Sequence, residues 1–244
     1  MPLTGTLINV AAVLVGTLLG TLLGDRLPER VRETVMHALG LVTLAVGIDG
    51  ALAAFRPPLS ELTRASVLLV LASVLVGGVV GELIGIEDRL NRAGDALKRR
   101  FAGEHEHQAR FTEGFVVASL VFCVGPMAIL GSIQDGLSGD FQLLAIKSLL
   151  DGFAALAFAS ALGWGVGFSV IPIVLYQGTI TVAASGLADV LTPEIVAGLT
   201  AAGGILILGI SLRLLELKVV RVGNLLPALL FAPVAVAIAQ AIVG

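Results

Sequence analysis

Apolar stretches long enough to cross a lipid bilayer recur along the whole chain. A helix needs about 20 mainly apolar residues to span the hydrocarbon core. Eight stretches meet that requirement, and they cover residues 3–24, 34–54, 65–85, 114–133, 150–168, 170–188, 195–215 and 223–243. The segment between Asp140 and Leu191 is the hardest to divide, because it fits either two helices or three shorter pieces.

The apolar positions follow a helical pattern rather than a strand pattern. A strand of an outer-membrane barrel alternates apolar and polar residues over about ten positions. Segments such as Val67–Val80 are instead apolar on every side, and glycine and alanine stand among the leucines and valines, as in packed membrane helices. We therefore predict an all-α fold: a polytopic transmembrane bundle of about eight helices, in which residues 1–244 form a single integral membrane domain.

The basic residues between the apolar stretches predict the orientation of the chain. If the N-terminus is outside, the inner loops hold twelve Lys and Arg residues, whereas the outer loops hold only Arg56 and Arg64. An excess of basic residues is typical of cytoplasmic loops. The counts predict a multi-pass protein with both termini outside. No basic residue precedes the first apolar stretch, so we do not expect a signal peptide.

One polar segment, residues 87–112, interrupts the apolar pattern and holds eleven of the 33 charged residues. Its first half carries one apolar stripe at helical spacing, formed by Ile86, Leu90, Ala93, Leu97 and Phe101. The positions off that stripe are mostly basic. We interpret the segment as a cytoplasmic loop whose first half is a helix lying on the membrane surface. A solvated linker helix is the alternative.

Internal repeats are a second feature of the pattern. At a constant offset of 61, Gly16, Gly20 and Gly24 match Gly77, Gly81 and Gly85. Glycines four residues apart let another backbone approach closely, within one chain or in a homodimer. Two weaker matches, beginning at residues 113 and 151 and at residues 5 and 178, join helices that we expect to run in opposite directions. Inverted repeats of this kind are typical of secondary transporters.

Ionisable groups at membrane depth are the first candidates for function, because a charge in lipid is costly unless it is paired or hydrated. Lys147 and Asp151 are four residues apart, so they share a helix face. They fit either a structural ion pair at the membrane edge or one side of a cavity whose other side carries Glu113. Glu82 interrupts the second glycine ridge and either reaches interfacial water or belongs to a site. Further polar candidates are Asn9, Asp49, Asp135 and Asp189.

Helix breaks are a second kind of signal. Gly125 and Pro126 lie in the middle of the fourth stretch, where proline removes a backbone donor and frees a carbonyl. Freed backbone groups in lipid must face protein or a wet cavity. Weaker breaks are expected at residues 163–167 and around Pro227. Broken helices often mark transporter binding sites, although a packing kink accounts for the same proline.

Composition excludes several classes of protein. Hydrophobic residues make up 57% of the chain and charged residues 14%, which is too apolar for a disordered chain or a soluble globule. The net charge of −3 does not suggest nucleic-acid binding. Cys123 is the only cysteine, and the His105-Glu106-His107 run is a weak metal signal. We find no catalytic constellation and no cofactor motif, and therefore expect neither an enzyme, a cofactor nor a metal site.

Several short motifs carry a resemblance to a known family. They are Glu113-Gly114-Phe115, Phe122-Cys123-Val124-Gly125-Pro126-Met127, Gly131-Ser132-Ile133, Asp135-Gly136, Lys147-Ser148 with Asp151, Gly203-Gly204, Leu226-Pro227-Ala228, and Gly5-Thr6 with Asn9. Together they resemble the family of bacterial membrane proteins that includes YdfK and YqgA, over nearly the whole chain. The resemblance implies a polytopic protein of the bacterial inner membrane, and it implies no particular substrate or mechanism.

These observations favour a small secondary transporter or channel for an unidentified small solute or ion. We expect Glu113, Asp151 and Lys147, with the break at Gly125 and Pro126, to form the core of its site. A carboxylate there would bind a proton or a cation. The alternative is a non-transporting scaffold or sensor whose basic inner surface recruits a cytoplasmic partner. A transporter needs a hydrated cavity that reaches the buried acids, whereas a scaffold does not.

Overall fold

A computed structural model gives the fold. It describes residues 3–24, 28–63, 65–101, 108–123, 125–187 and 190–243. Among these residues the chain forms twelve α-helices, which are α1 (Thr4–Gly24), α2 (Glu29–Ala51), α3 (Leu59–Leu62), α4 (Ser66–Ile84), α5 (Ile86–Phe101), α6 (Gln108–Cys123), α7 (Pro126–Ser138), α8 (Gln142–Leu162), α9 (Val170–Val182), α10 (Ala184–Leu187), α11 (Pro193–Leu214) and α12 (Ala228–Val243). Three 3₁₀ segments cover Leu52–Phe55, Trp164–Ser169 and Val222–Leu225.

The predicted all-α polytopic fold is confirmed. Seven helical segments of the described chain are long and apolar enough to cross a membrane, and α6 with α7 gives an eighth when this bent pair counts as one span. No strand occurs among the described residues. The helical region of the fourth span is longer than predicted, because α6 begins at Gln108 and α7 ends at Ser138. The last span is a helix only after Pro227, and it is preceded by the 3₁₀ turn Val222–Leu225.

The first helix, α1, is apolar on its exposed face and mainly small or polar on its buried face, an arrangement that suits a lipid surrounding. The exposed face of α1 carries large aliphatic side chains such as Leu7, Leu14 and Leu18. Its buried face consists of Gly5, Thr6, Asn9, Val13, Gly16, Thr17, Gly20 and Gly24. Because lipid tails are as apolar as leucine, a helix face of this kind associates with its neighbours mainly through close packing of small residues.

The first of two compact units comprises residues 1–39, 90–123 and 127–188. Its centre is the pairing of α1 with α8, in which a Cβ on each ridge glycine of α1 would overlap the α8 backbone. The pairs are Gly16 with Gly152, Gly20 with Leu156, and Gly24 with Ser160. Both series of numbers rise together, so α1 and α8 run parallel. The first glycine ridge therefore packs two helices of this unit at backbone contact.

The second compact unit comprises residues 40–89, 124–126 and 189–244. Gly77 contacts the backbone of Ala228, and Gly81 contacts that of Asn224, so α4 runs antiparallel to the last span. The α11 helix begins at Pro193, where the Thr192 hydroxyl accepts a hydrogen bond from the Ile195 N–H and caps it. That the whole chain acts as a single membrane domain stays a prediction.

The two glycine ridges differ in their packing. Gly16, Gly20 and Gly24 all face a parallel helix, whereas Gly77 and Gly81 face an antiparallel segment. The third glycine of the second ridge, Gly85, ends α4 in the left-handed conformation with φ of 71°. There a side chain would be strained whatever the space around it. The sequence offset of 61 is thus not matched by equivalent contacts, and inverted repeats stay a prediction.

The predicted helix of the polar segment is present as α5, Ile86–Phe101. Its first turn is fixed within the second unit by Glu87, whose carboxylate accepts hydrogen bonds from the Gly223 N–H at 2.6 Å and from Arg213 at 3.4 Å. The Asn224 amide oxygen accepts a hydrogen bond from the Glu87 N–H at 2.7 Å. The predicted apolar stripe is not wholly buried, since Ala93 is exposed. The position of α5 on a membrane surface stays a prediction.

Candidate functional site

A buried ion pair lies on α8 in the first unit. Lys147 and Asp151 are one helical turn apart on the face that also buries Leu144 and Ala155. The Lys147 Nζ donates a hydrogen bond to the Asp151 Oδ2, and the two side chains are only 8% and 12% exposed. Burying both charges costs several kcal/mol per ion, which the attraction between them offsets only when further hydrogen bonds are made.

Asn9 of α1 provides one of those hydrogen bonds. Its amide Nδ2 donates to the Asp151 Oδ2 at 3.0 Å, across 142 residues of sequence. The short amide reaches the carboxylate because Gly16 and Gly152 bring the backbones of α1 and α8 into contact. The Asn9 Oδ1 has no hydrogen-bond partner among the described residues. We call Asn9, Lys147 and Asp151 the Asp151 cluster.

Asp135 of α7 is a second buried carboxylate of the same unit. It is fully buried, and its Oδ2 accepts a hydrogen bond from the Gly5 N–H at 3.1 Å. Gly5 lies in the first turn of α1, where backbone N–H groups have no partner within the helix. The Asp135 Oδ1 has no hydrogen-bond partner among the described residues, and these residues form no ion pair with Asp135.

Polar side-chain atoms without a partner are concentrated in this unit. Among the described residues, the buried unpaired atoms are Thr6 Oγ1, Asn9 Oδ1, Thr17 Oγ1, Ser132 Oγ, Asp135 Oδ1, Ser169 Oγ, both side-chain polar atoms of Gln177, and Thr181 Oγ1. All of them belong to residues of the first unit. Buried polar groups are normally hydrogen-bonded. Their clustering suggests an interior that exchanges hydrogen bonds with water or a bound species.

The predicted helix break is confirmed. α6 ends at Cys123 and α7 begins at Pro126, and the two helices are bent by 62°. Proline is tolerated at the first position of a helix because the N–H that it lacks has no partner there. A Cβ on Gly125 would meet no atom within 4 Å, so close packing does not explain that glycine. The break allows α7 to follow a new direction, in which Gly131 contacts Leu144 of α8.

Comparison with known families matches residues 4–237 to the family described as "Protein of unknown function (DUF554)". The chain belongs to the DUF554 family. It is 29% identical to "Uncharacterized membrane protein YdfK" of Bacillus subtilis over 237 residues, which cover 97% of each chain. It is 34% identical to "Uncharacterized protein YqgA" of Escherichia coli over 230 residues, which cover 93% of this chain and 94% of the relative. No solved structure matches.

One predicted site residue of this DUF554 chain, Glu113, lies away from the Asp151 cluster within the first unit. Glu113 is on α6, where its neighbour Gly114 contacts Leu162 and Val166. Leu162 is eleven residues beyond Asp151, or about 16 Å along α8, so Glu113 is not brought to Asp151. That Glu113 and Asp151 belong to one site stays a prediction.

Glu82 belongs to the second unit of the DUF554 chain. Its carboxylate accepts hydrogen bonds from Arg221 and from the Asn224 amide, each at 2.6 Å. Its side chain is 56% exposed, which fits the interpretation that it reaches interfacial water. Asp49, also more than half exposed, pairs with Arg56. Their functional roles stay predictions, and Asp189 and the His105–His107 run lie outside the described residues.

Three hydroxyl residues were not among the sequence candidates: Thr6, Ser132 and Thr181. Their hydroxyl groups are buried without partners among the described residues, in the unit that also holds Asp135 and Asp151. A signal for them exists in the sequence, because Thr6 lies on the glycine face of a helix whose other face is leucine and valine. A hydroxyl on such a face points into the protein. A search for charged groups and helix breaks does not find it.

Proposed function

We propose that this chain is a small secondary transporter or channel of the bacterial inner membrane, with its solute or ion pathway through the first unit. One observation carries the proposal: the buried face of α1 presents the polar residues Thr6, Asn9 and Thr17, and each has a polar atom without a partner. These positions extend over about 16 Å of the helix, which is roughly half the thickness of a bilayer core.

The energy of burial supports a hydrated pathway. Each buried polar group that lacks a hydrogen bond costs about 1–3 kcal/mol. A membrane protein that only packs helices has no need of such groups, because alanine or glycine would pack as well. Water or a solute in the pathway satisfies them. Intramembrane polar residues retained at that cost commonly line pathways for ions or substrates.

The Asp151 cluster supplies the charge of the pathway. Lys147 neutralises Asp151 in the described conformation, and Asn9 holds the carboxylate from α1. A proton or cation that binds Asp151 competes with the Lys147 ammonium. Exchange between the two provides a means of coupling binding to a rearrangement of α1 against α8. No nucleotide or redox cofactor is needed for such a cycle, and we do not expect an enzyme.

The directions of the helices support the proposed topology. α1 matches the first predicted span, and α8, Gln142–Leu162, overlaps the fifth, which was predicted at residues 150–168. The two helices run parallel, as two odd-numbered spans must. α4 and α12 belong to predicted spans three and eight, and they run antiparallel. Together with the basic residues of the inner loops, these directions support eight spans with both termini outside.

Cysteine accessibility tests the pathway directly. In a Cys123→Ser background, we expect Thr6→Cys and Thr17→Cys in native membranes to react with a water-confined methanethiosulfonate cation. The thiolate forms only in contact with water, so reaction at least about tenfold faster than at Leu18→Cys is expected. Leu18 is the matched control, since it lies beside Thr17 and is 62% exposed on the aliphatic face of α1. Reaction rates are read from labelling time courses.

The opposite result has a clear meaning. If Thr6→Cys and Thr17→Cys react as slowly as Leu18→Cys, the interior of the first unit is dry and the transport proposal is wrong. That outcome favours the non-transporting scaffold or sensor.

A further inference from the structure

We infer that Asp135, with the oxygens of Thr6, Ser132, Gln177 and Thr181, binds one monovalent alkali-metal cation such as Na⁺. We call these five residues the Asp135 cluster. The inference rests on the proposed function and deepens it, because it names the ion that drives or accompanies transport. It concerns binding, so it is testable apart from uptake.

Asp135 has little positive charge around it among the described residues. The carboxylate is fully buried, and the described residues give it only one hydrogen bond, from the Gly5 N–H. The positive end of a helix supplies about half an elementary charge. Lys147, a buried cation of the same unit, is engaged with Asp151. In its charged form, the buried carboxylate is stable only beside a further positive charge, which the described residues do not provide.

Residues with neutral side-chain oxygens lie on the helix of Asp135 and on two helices that contact it. Ser132 is three residues earlier on α7, so it shares the face of Asp135. Thr6 follows Gly5, the residue whose N–H binds the carboxylate. A Cβ on Gly136 would overlap the carbonyl oxygen of Thr181, which brings α9 against α7 beside Asp135.

Gln177 of α9 provides a further buried oxygen without a partner among the described residues. It lies four residues before Thr181, one turn away on the same face of α9. Gln177 is fully buried, while Thr6, Ser132 and Thr181 are each at most 2% exposed. These buried side chains thus belong to three helices, α1, α7 and α9, which the Gly5–Asp135 hydrogen bond and the contact of Gly136 with Thr181 bring together.

The hydroxyl groups of this cluster lack the hydrogen bonds that helical serines and threonines usually make. Serine and threonine in a helix commonly donate to the carbonyl one turn earlier. Ser119, Ser148 and Thr200 do so in this chain, at 2.5, 2.6 and 2.7 Å. The hydroxyls of Ser132 and Thr181 do not, and none of the hydroxyls of Thr6, Ser132 and Thr181 has a partner among the described residues. Each of these hydroxyl oxygens therefore lacks any partner among the described residues, and its lone pairs can bind a ligand.

The chemistry of these oxygens indicates which class of ligand they would bind. One carboxylate and several neutral oxygens form a set of hard ligands, which suits alkali and alkaline-earth cations rather than metals that prefer nitrogen or sulfur. A single positive charge neutralises Asp135, whereas a divalent ion would leave an excess charge in a medium of low dielectric. The carboxylate disfavours an anion. These arguments together select a monovalent cation.

Purified full-length protein in detergent provides the test. We expect the thermal unfolding midpoint in NaCl to exceed that in choline chloride at equal ionic strength by about 3 °C or more, because an ion that binds the folded state stabilises it. Binding of ²²Na⁺ by scintillation proximity should saturate with one site. Ser132→Ala should weaken Na⁺ at least about tenfold by removing one ligand. Its matched control, Ser119→Ala, should bind as the wild type does.

Asp135→Asn is expected to abolish both the Na⁺-dependent shift and the binding. Should that variant fail to fold, Ser132→Ala still decides the matter, since its hydroxyl holds no structural hydrogen bond. Equal stability in NaCl and choline chloride, with no saturable ²²Na⁺ binding, overturns the inference. An unfolding midpoint that depends on pH but not on Na⁺ also overturns it. In that case Asp135 takes only a proton or serves only to cap α1.

The outcomes separate this inference from the proposed function. Solute uptake without Na⁺ binding refutes the cation site and leaves the transporter. Saturable Na⁺ binding in a protein whose Thr6→Cys and Thr17→Cys variants are unreactive refutes the pathway and leaves the site.

Discussion

Replacing Asp151 with asparagine is expected to destabilise the protein by about 3–5 kcal/mol, because it leaves the Lys147 ammonium buried without its counter-charge. The Lys147 side chain is only 8% exposed, and the structure gives it one ion pair, with Asp151. The expected loss is measured as the free energy of unfolding of the purified protein in mixed micelles. The exposed pair of Asp49 and Arg56 is the control, since Asp49→Asn should cost less than about 1 kcal/mol.

A double variant separates the structural role of the pair from a functional role. In Lys147→Met with Asp151→Asn neither charge remains, so we expect most of the lost stability to return. Uptake into proteoliposomes, measured for a solute that the wild type accepts, should nevertheless stay at background. Recovery of both stability and uptake would contradict a functional role for the pair. Full stability of Asp151→Asn alone would contradict the buried ion pair.

Much of the fold was predictable from local sequence patterns. The apolar stretches predict the spans because the length of a membrane helix is set by the bilayer, whatever the helix packs against. The break at Gly125 and Pro126 was predictable because proline acts on its own helix. The pair of Lys147 and Asp151 was predictable for the same reason, since a separation of four residues fixes a shared face.

The contacts that build the candidate site were not predictable in this way. Asn9 meets Asp151 across 142 residues, and the Gly5 N–H meets Asp135 across 130 residues. No helical period relates such positions, and only the packing of α1 against its neighbours brings them together. The same limit applies to Glu113, which the sequence pattern joined to Asp151 but which the contacts of its neighbour Gly114 place near the C-terminal end of α8. The helical repeat predicts which residues share a face of one helix, whereas tertiary packing decides which helix faces contact each other.

Packing at the first glycine ridge leads to the second large prediction. Gly20→Ala is expected to destabilise the protein by about 2–3 kcal/mol, although alanine is the better helix former. The added Cβ would overlap the Leu156 carbonyl oxygen and would lie 2.9 Å from the Cβ of Ala159. A backbone atom cannot move aside as a flexible side chain does, so α1 must shift away from α8. Thermal unfolding in detergent measures the loss.

Gly186→Ala is the matched control, because a Cβ on Gly186 of α10 would meet no atom within 4 Å. It makes the same chemical change, and we expect it to be neutral or to stabilise by a few tenths of a kcal/mol. A shift of α1 also lengthens the hydrogen bond from Asn9 to Asp151, so Gly20→Ala should reduce uptake in the fraction that folds. Equal stability of the two variants would mean that α1 and α8 do not pack at backbone contact. The position of Asn9 against Asp151, on which the candidate site depends, would then be wrong as well.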